Sequence, residues 1–206
     1  MTESVISHFG IAWRAFKSYP RVFVISMLIL FASWVVLEVA VIALQRFGIV
    51  VWLVLHCAFF VVFSGLIAGL YRIALETVNG ETPNLADLTA SLRRGPTLLF
   101  AFCIYLLAVV GGLALVIVPG IYVAVRYALF GQVVATGSTS AFEALHGAAA
   151  LSDGRWWTLC GFFLLTLLLN LAGAAFLGIG LLLTFPVSLL ATSNLYRSLQ
   201  QPALPF

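Results

Sequence analysis

Charge is what this sequence has least of. Only 8% of its 206 residues are Asp, Glu, Lys or Arg, against about 25% in an ordinary soluble domain, which must cover its surface for water. A chain that is 63% hydrophobic with so few charges cannot clothe itself for an aqueous solvent. Its exterior matches lipid instead. In hydrocarbon the backbone must satisfy its own hydrogen bonds, so long apolar runs read as helices. The expectation is an all-α, polytopic membrane helix bundle. No polar stretch is long enough to fold separately, so residues 1–206 read as a single integral membrane domain.

Other scarcities exclude function classes. Cys57, Cys103 and Cys160 are odd in number and lie inside apolar runs, which suits reduced packing residues rather than a disulfide framework. His8, His56 and His146 sit in separate segments without the close spacing of a metal site. No metal or other cofactor is expected. The net charge of +3 comes from few, scattered bases, so nucleic acid is not an expected partner. H-E-x-x-H, G-x-S-x-G and phosphate-loop motifs are missing, and no pair of catalytic polar groups stands out. An enzyme is therefore not expected. The opening "MTESVISHFGIAWRAFKSYPR" puts its charged, amphipathic part first and has no short apolar run ending at a small-residue cleavage site; it does not read as a secretory signal.

What the sequence does contain is apolar length. A helix needs about 20 apolar residues to span hydrocarbon. Residues 21–44 and 49–75 meet that length, joined by "QRFG" as a tight hairpin. The block 97–135 is too long for one span and reads as two, about 97–113 and 116–135, with Gly111-Gly112 or Pro119-Gly120 at the turn. The block 156–196 reads as spans of about 156–175 and 179–197, bending at "GAAFLGIG" (173–180), with Pro186 kinking the last. Six spans in three hairpins result.

Three amphipathic stretches separate these blocks, at about 3–17, 84–94 and 140–151. In the first, Val5, Phe9, Ala12, Trp13 and Phe16 share a face opposite His8, Arg14 and Lys17. In the second, Asn84 caps a helix carrying Leu85, Leu88 and Leu92. The third opens on Ser140-x-x-Glu143, a capping box, with Phe142, Leu145 and Ala149 on one face. They read as helices lying in the headgroup plane, or as polar loops with chance periodicity. Each hairpin closes on an aromatic-plus-arginine pair: Tyr71-Arg72, Arg126-Tyr127 and Tyr196-Arg197. The chain can be read as three copies of one unit.

On six spans, Arg14, Lys17, Arg21, Arg72, Arg93, Arg94, Arg126, Arg155 and Arg197 fall toward the face carrying both termini, and only Arg46 lies opposite. Positive charge in short loops marks the cytoplasmic side, so both termini are expected in the cytoplasm of a bacterial inner membrane. Arg126 falls about halfway down its span, about 15 Å from residue 116. It either snorkels to the cytoplasmic headgroups, or binds a lipid phosphate or an intramembrane acid. Glu38 is an acid well inside the first span; it is a candidate for proton or cation handling or a carboxyl loosely paired with Arg46. Arg72 and Glu76 form an i, i+4 pair. Gly65-x-x-x-Gly69 invites close helix approach. Ser64, Gln132, Thr166, Asn170, Thr184 and Ser188 are polar groups within spans. They line a pathway or bond between helices.

The runs "VPGIYVAVRYAL" (118–129), "SAFEALHGAAALSDGRWWTL" (140–159) and "FPVSLLATSNLYRSL" (185–199) resemble bacterial six-span membrane proteins of the YciC type. They also resemble the membrane region attached to some glycerophosphodiester phosphodiesterases. The resemblance is clearest over 97–199 and rests on Pro119-Gly120, Arg126, Ala144 and Tyr196-Arg197. It implies membrane residence and a helical fold. Where such a region is fused to a phosphodiesterase, catalysis belongs to the soluble domain, so no catalytic residue is implied here.

The leading expectation is a non-enzymatic membrane or lipid-associated scaffold or homeostasis factor. Its partners would be membrane lipids, anionic ones included, with a second copy or another membrane protein as the further candidate. The alternative is a small transporter or channel with Glu38, Arg126, Gln132 and Asn170 along its path. A polar cavity at mid-depth favours transport; tight internal packing favours the scaffold.

Overall fold

A chain that dissolves in hydrocarbon turns its apolar side chains outward, and this one does. In the computed structural model, which describes residues 5–175 and 180–200, Val36, Leu107 and Val118 are about 70% exposed. A water-soluble surface does not carry so many large apolar groups in contiguous bands.

The described residues form helices and no strand. Helix α1 (Val5–Ser18) breaks at Tyr19 into α2 (Pro20–Leu44). A 3₁₀ turn (Gln45–Phe47) and Gly48 lead into α3 (Ile49–Asn79). Gly48 has φ +88°, a conformation that glycine adopts without strain, which fits the tight hairpin. After Gly80 come α4 (Ala86–Ala90), a 3₁₀ turn (Ser91–Arg94) and α5 (Gly95–Leu115). Then follow α6 (Ile117–Tyr127), α7 (Phe130–Thr136), α8 (Ala141–Ser152), α9 (Trp156–Ala175) and α10 (Leu181–Gln200). Three times, a short helix precedes a hairpin of long ones.

Five segments are long and apolar enough to cross a membrane: α2, α3, α4–α5, α6–α7 and α9. The expected sixth, α10, is as long as α9 but less apolar, and its surroundings explain why. Every residue from Pro186 to Tyr196 is buried. This helix meets protein along that stretch, with α1, α3 and α9 against it, so it carries Ser188, Thr192, Ser193 and Asn194 where a lipid-facing helix would carry leucines.

The buried core gathers toward one end of the bundle. It takes the first half of α2 (Phe23, Met27, Leu30), the second half of α3 (Leu66, Leu70, Ile73) and the start of α5 (Leu98, Ala101). The α2–α3 turn end is largely exposed apolar surface.

Several local expectations change. The bend between the third and fourth spans lies at Val116, which is extended (φ −159°, ψ 146°), between the two glycine-containing pairs. Gly112 and Gly120 flank it at close range: a methyl on Gly112 would lie 2.8 Å from the Gly120 Cα. Residues 116–135 are not one helix, because Ala128 and Leu129 interrupt them. Residues 3–4 of the first amphipathic stretch and 176–179 of the "GAAFLGIG" bend fall outside the described residues. His8 is not on the outer face of α1. It is buried with Ala12 and Phe16, while Trp13 is exposed, so the helix docks on a different stripe. Leu88 is buried, but the switch to a 3₁₀ turn at Ser91 puts Ser91 inward and leaves Leu92 exposed. On α8, Leu145 and Ala149 are buried as expected, with Ala141, Ala144 and Ala148 beside them, but Phe142 is outside. The capping box is displaced by one residue: Glu143 Oε2 accepts from the backbone N–H and hydroxyl of Thr139 rather than from Ser140. Asn84 caps as expected, its Oδ1 accepting from Ala86 N at 3.0 Å.

Candidate functional site: a polar cavity and an arginine-rich rim

Polar side chains in lipid are stable only against one another or against freed backbone groups. Gly65 and Gly69 create the first such setting. A methyl on Gly65 would lie 2.8 Å from the Leu92 Cα, and one on Gly69 2.5 Å from the Leu88 Cα and carbonyl oxygen. Backbone therefore meets backbone here, as small-xxx-small spacing permits. Ser64 uses the proximity, donating to the Gly95 carbonyl at 2.8 Å. The motif serves packing within the chain.

The interruption between α6 and α7 creates the second. A broken helix at membrane depth leaves carbonyls without their usual donors and persists only where protein replaces them or a cavity adjoins. Both conditions hold. Tyr105 donates its hydroxyl to the Ala124 carbonyl at 3.0 Å, and Ser152 donates to the Arg126 carbonyl at 2.7 Å. Beside the break, a cavity of about 150 Å³ opens between α3, α6–α7, α9 and α10. Gln132 enters it from α7, Tyr71 from α3, Asn170 and Thr166 from α9, and Ser188 and Thr192 from α10. Thr166 lies about 15 Å along α9 from Trp156, half the helix length. Asn170 donates to the Thr166 carbonyl and to Ser188 Oγ at 2.7 Å, while its Oδ1 accepts from no described residue. Gln132 is 1% exposed, and its Oε1 has no partner.

Of the residues singled out from sequence, the cavity thus joins Tyr71, Gln132, Thr166, Asn170 and Ser188. Glu38 and Arg126 do not line it. Glu38 is exposed in the second half of α2 and forms no ion pair with Arg46. Thr192 was not anticipated, although it follows Ser188 by four residues and so shares its helix face.

Three of the other arginines share a structural logic. Arg94 donates to the Ala135 carbonyl, Arg155 to Leu199 at 3.3 Å and Arg197 to Val78 at 2.7 Å. Each acceptor is the next-to-last residue of a helix, α7, α10 and α3 respectively. Helix C-termini present unsatisfied carbonyls and partial negative charge, which cations stabilise. Arg72 bridges α3 to α4, with Nε 2.8 Å from Glu76 and Nη2 3.5 Å from Asp87. Arg126 lies 2.9 Å from Asp153, in the elbow between α8 and α9, and donates to the Tyr122 hydroxyl at 2.7 Å. Its acid was invisible in local sequence, being 27 positions away. Among the described residues no cluster of His, Cys, Asp and Glu could hold a metal ion.

No family model, curated protein or solved structure matches the chain. Function therefore rests on the geometry.

Arg126 and Asp153 side chains are 29% and 61% exposed, and exposed pairs are worth about 0–1 kcal/mol. Arg126→Leu should therefore leave the folded yield and thermal midpoint in detergent close to those of the unmodified chain. A fall equivalent to several kcal/mol in a denaturant titration would show that the pair holds the elbow.

Proposed function

We propose that this multi-pass protein is a non-enzymatic scaffold or homeostasis factor of the bacterial inner membrane. In this reading α10 crosses as the sixth span, both termini are cytoplasmic, and the arginine-rich end meets anionic headgroups. The chain would then be of the YciC type that it resembles. The observation that carries the lipid reading is the division of labour among the cations. Arg72, Arg94, Arg126, Arg155 and Arg197 are engaged by acids or helix ends. Arg14, Lys17 and Arg21 are exposed and have no acidic partner among the described residues. They flank the α1–α2 elbow beside exposed Trp13, over whose ring Lys17 sits at 5.2 Å. An amphipathic helix that offers uncommitted cations and an indole is suited to an acidic lipid surface, each cation contributing about 1 kcal/mol there.

The test is lipid enrichment. In nanodiscs of mixed phosphatidylcholine and phosphatidylglycerol, mass spectrometry of the lipid retained on the protein should find phosphatidylglycerol enriched. The combined substitution R14Q, K17Q and R21Q should reduce that enrichment severalfold, and added salt should do the same. Equal retention by both proteins would rule the lipid role out.

A second reading, passage of a small molecule, is favoured by the mid-bundle cavity with Gln132 and Asn170 converging on it.

A further inference from the structure

We propose that the cavity between α3, α6–α7, α9 and α10 is a binding site for a small, uncharged polyhydroxy compound of about glycerol size. The inference does not depend on the lipid reading of the rim.

The starting point is the Gln132 amide. Its Oε1 is buried and accepts no hydrogen bond from a described residue, and the side chain is 1% exposed. A buried amide oxygen left without a donor costs free energy that a protein ordinarily avoids. Close by, Asn170 has spent both N–H groups, on Thr166 and Ser188, and keeps an unused acceptor. The Thr166 and Thr192 hydroxyls donate back to their own helices, to Phe162 and Ser188, so each offers the cavity lone pairs only. The Tyr71 hydroxyl makes no hydrogen bond with a described residue. The wall therefore presents several acceptors together with the donors of Gln132 and Tyr71.

That inventory selects a ligand chemistry. No charged residue lines the cavity, and an ion brought there would be desolvated without a counter-charge. A purely apolar guest would leave Gln132 and Asn170 unsatisfied. A hydroxyl group both donates and accepts, which matches a wall holding both kinds of site. Between the polar groups stand Phe163, Phe185 and Leu189, surfaces for the C–H faces of a polyol. The volume of about 150 Å³ is that of a cavity which accommodates about six non-hydrogen atoms.

The helix interruption supports the same assignment. Ala128, at the break, is itself part of the cavity wall, and α7 starts again at Phe130 in time to carry Gln132 inward. An unbroken helix from Ile117 would turn residue 132 through a different angle.

The experiment is saturation-transfer NMR on the whole chain in nanodiscs, with glycerol as probe. Lactate serves as the anion of the same heavy-atom count, and benzene as the apolar control. Glycerol should receive saturation and the two controls should not. Gln132→Leu removes an amide whose oxygen is unbonded and fills part of the space, so it should fold as well as the parent. It should weaken glycerol binding about fivefold or more, the loss expected for one hydrogen bond. Asn170→Leu is the second variant. The R14Q, K17Q and R21Q protein should bind glycerol normally, which separates this site from the rim. No transfer to glycerol, or equal transfer in parent and both variants, would overturn the proposal. Preference for lactate or benzene would overturn the assigned ligand class.

Discussion

Gly69→Ala should destabilise this protein sharply, while Gly111→Ala should leave it unchanged or firmer. Both glycines lie within long apolar helices, and helix propensity favours alanine at either site by up to about 1 kcal/mol. The difference is what the new methyl meets. At Gly111 there is nothing within 4 Å. At Gly69 the methyl would stand 2.5 Å from the Leu88 Cα and carbonyl oxygen, atoms that move only if α4 moves. Overpacking of this kind typically costs about 1–3 kcal/mol and more where backbone must shift. The displaced α4 also carries Asp87, the second partner of Arg72, so the loss extends beyond van der Waals contact. Reversible unfolding in mixed micelles should separate the two variants by about 2–4 kcal/mol. Equal stability of the two variants would mean that α3 and α4 do not pack backbone to backbone.

The same contrast shows how much was legible beforehand. Lipid as solvent imposes length, so the limits of α2 and α9 and the start of α3 could be read from uninterrupted apolar runs, though α3 runs on to Asn79. The hairpin at 45–48 followed because two full-length runs left four residues between them. Gly65 and Gly69 were recognisable by spacing, though not their partner helix. Legibility failed where protein, rather than lipid, is the neighbour. His8 looked like part of a polar face, yet it points inward, where Asn194 Nδ2 lies 2.8 Å from its Nδ1. Periodicity ranks side chains by polarity and cannot foresee that one polar group will meet another. The α6–α7 interruption was equally hidden. "VRYALFG" contains no proline, and its glycine comes after the break; Tyr105 and Ser152, from other helices, sustain it. Gln132 and Asn170 were visible as polar groups in apolar spans. Their convergence with Tyr71 needed that break, and so lay beyond any local pattern.

Truncation of Phe162 should have the other large effect, and it tests how much of the α1 docking rests on α9. Sequence alone suggested a helix resting among headgroups. Instead Phe162 of α9 is completely buried, with the Phe9 ring stacked on it at 5.2 Å and the His8 ring edge-on at 6.1 Å. Ala12 and Phe16 continue the same buried stripe. Phe162→Ala removes the ring on which Phe9 and His8 pack, and loss of a buried phenyl ring typically costs about 3–5 kcal/mol. The His8–Asn194 contact remains, so the helix should loosen before the bundle unfolds. Trypsin then supplies a local readout, since Arg14 and Lys17 lie on α1 while Arg46 lies in the distant α2–α3 turn. Cleavage on α1 should accelerate in the variant, and cleavage at Arg46 should not. If both rates and the unfolding midpoint stay unchanged, the Phe162 contact does not hold α1, and its seat is on α10. If α1 alone is released, the docked helix is a separable part of the fold, and its cations gain their lipid-facing position from the aromatic stack beneath them.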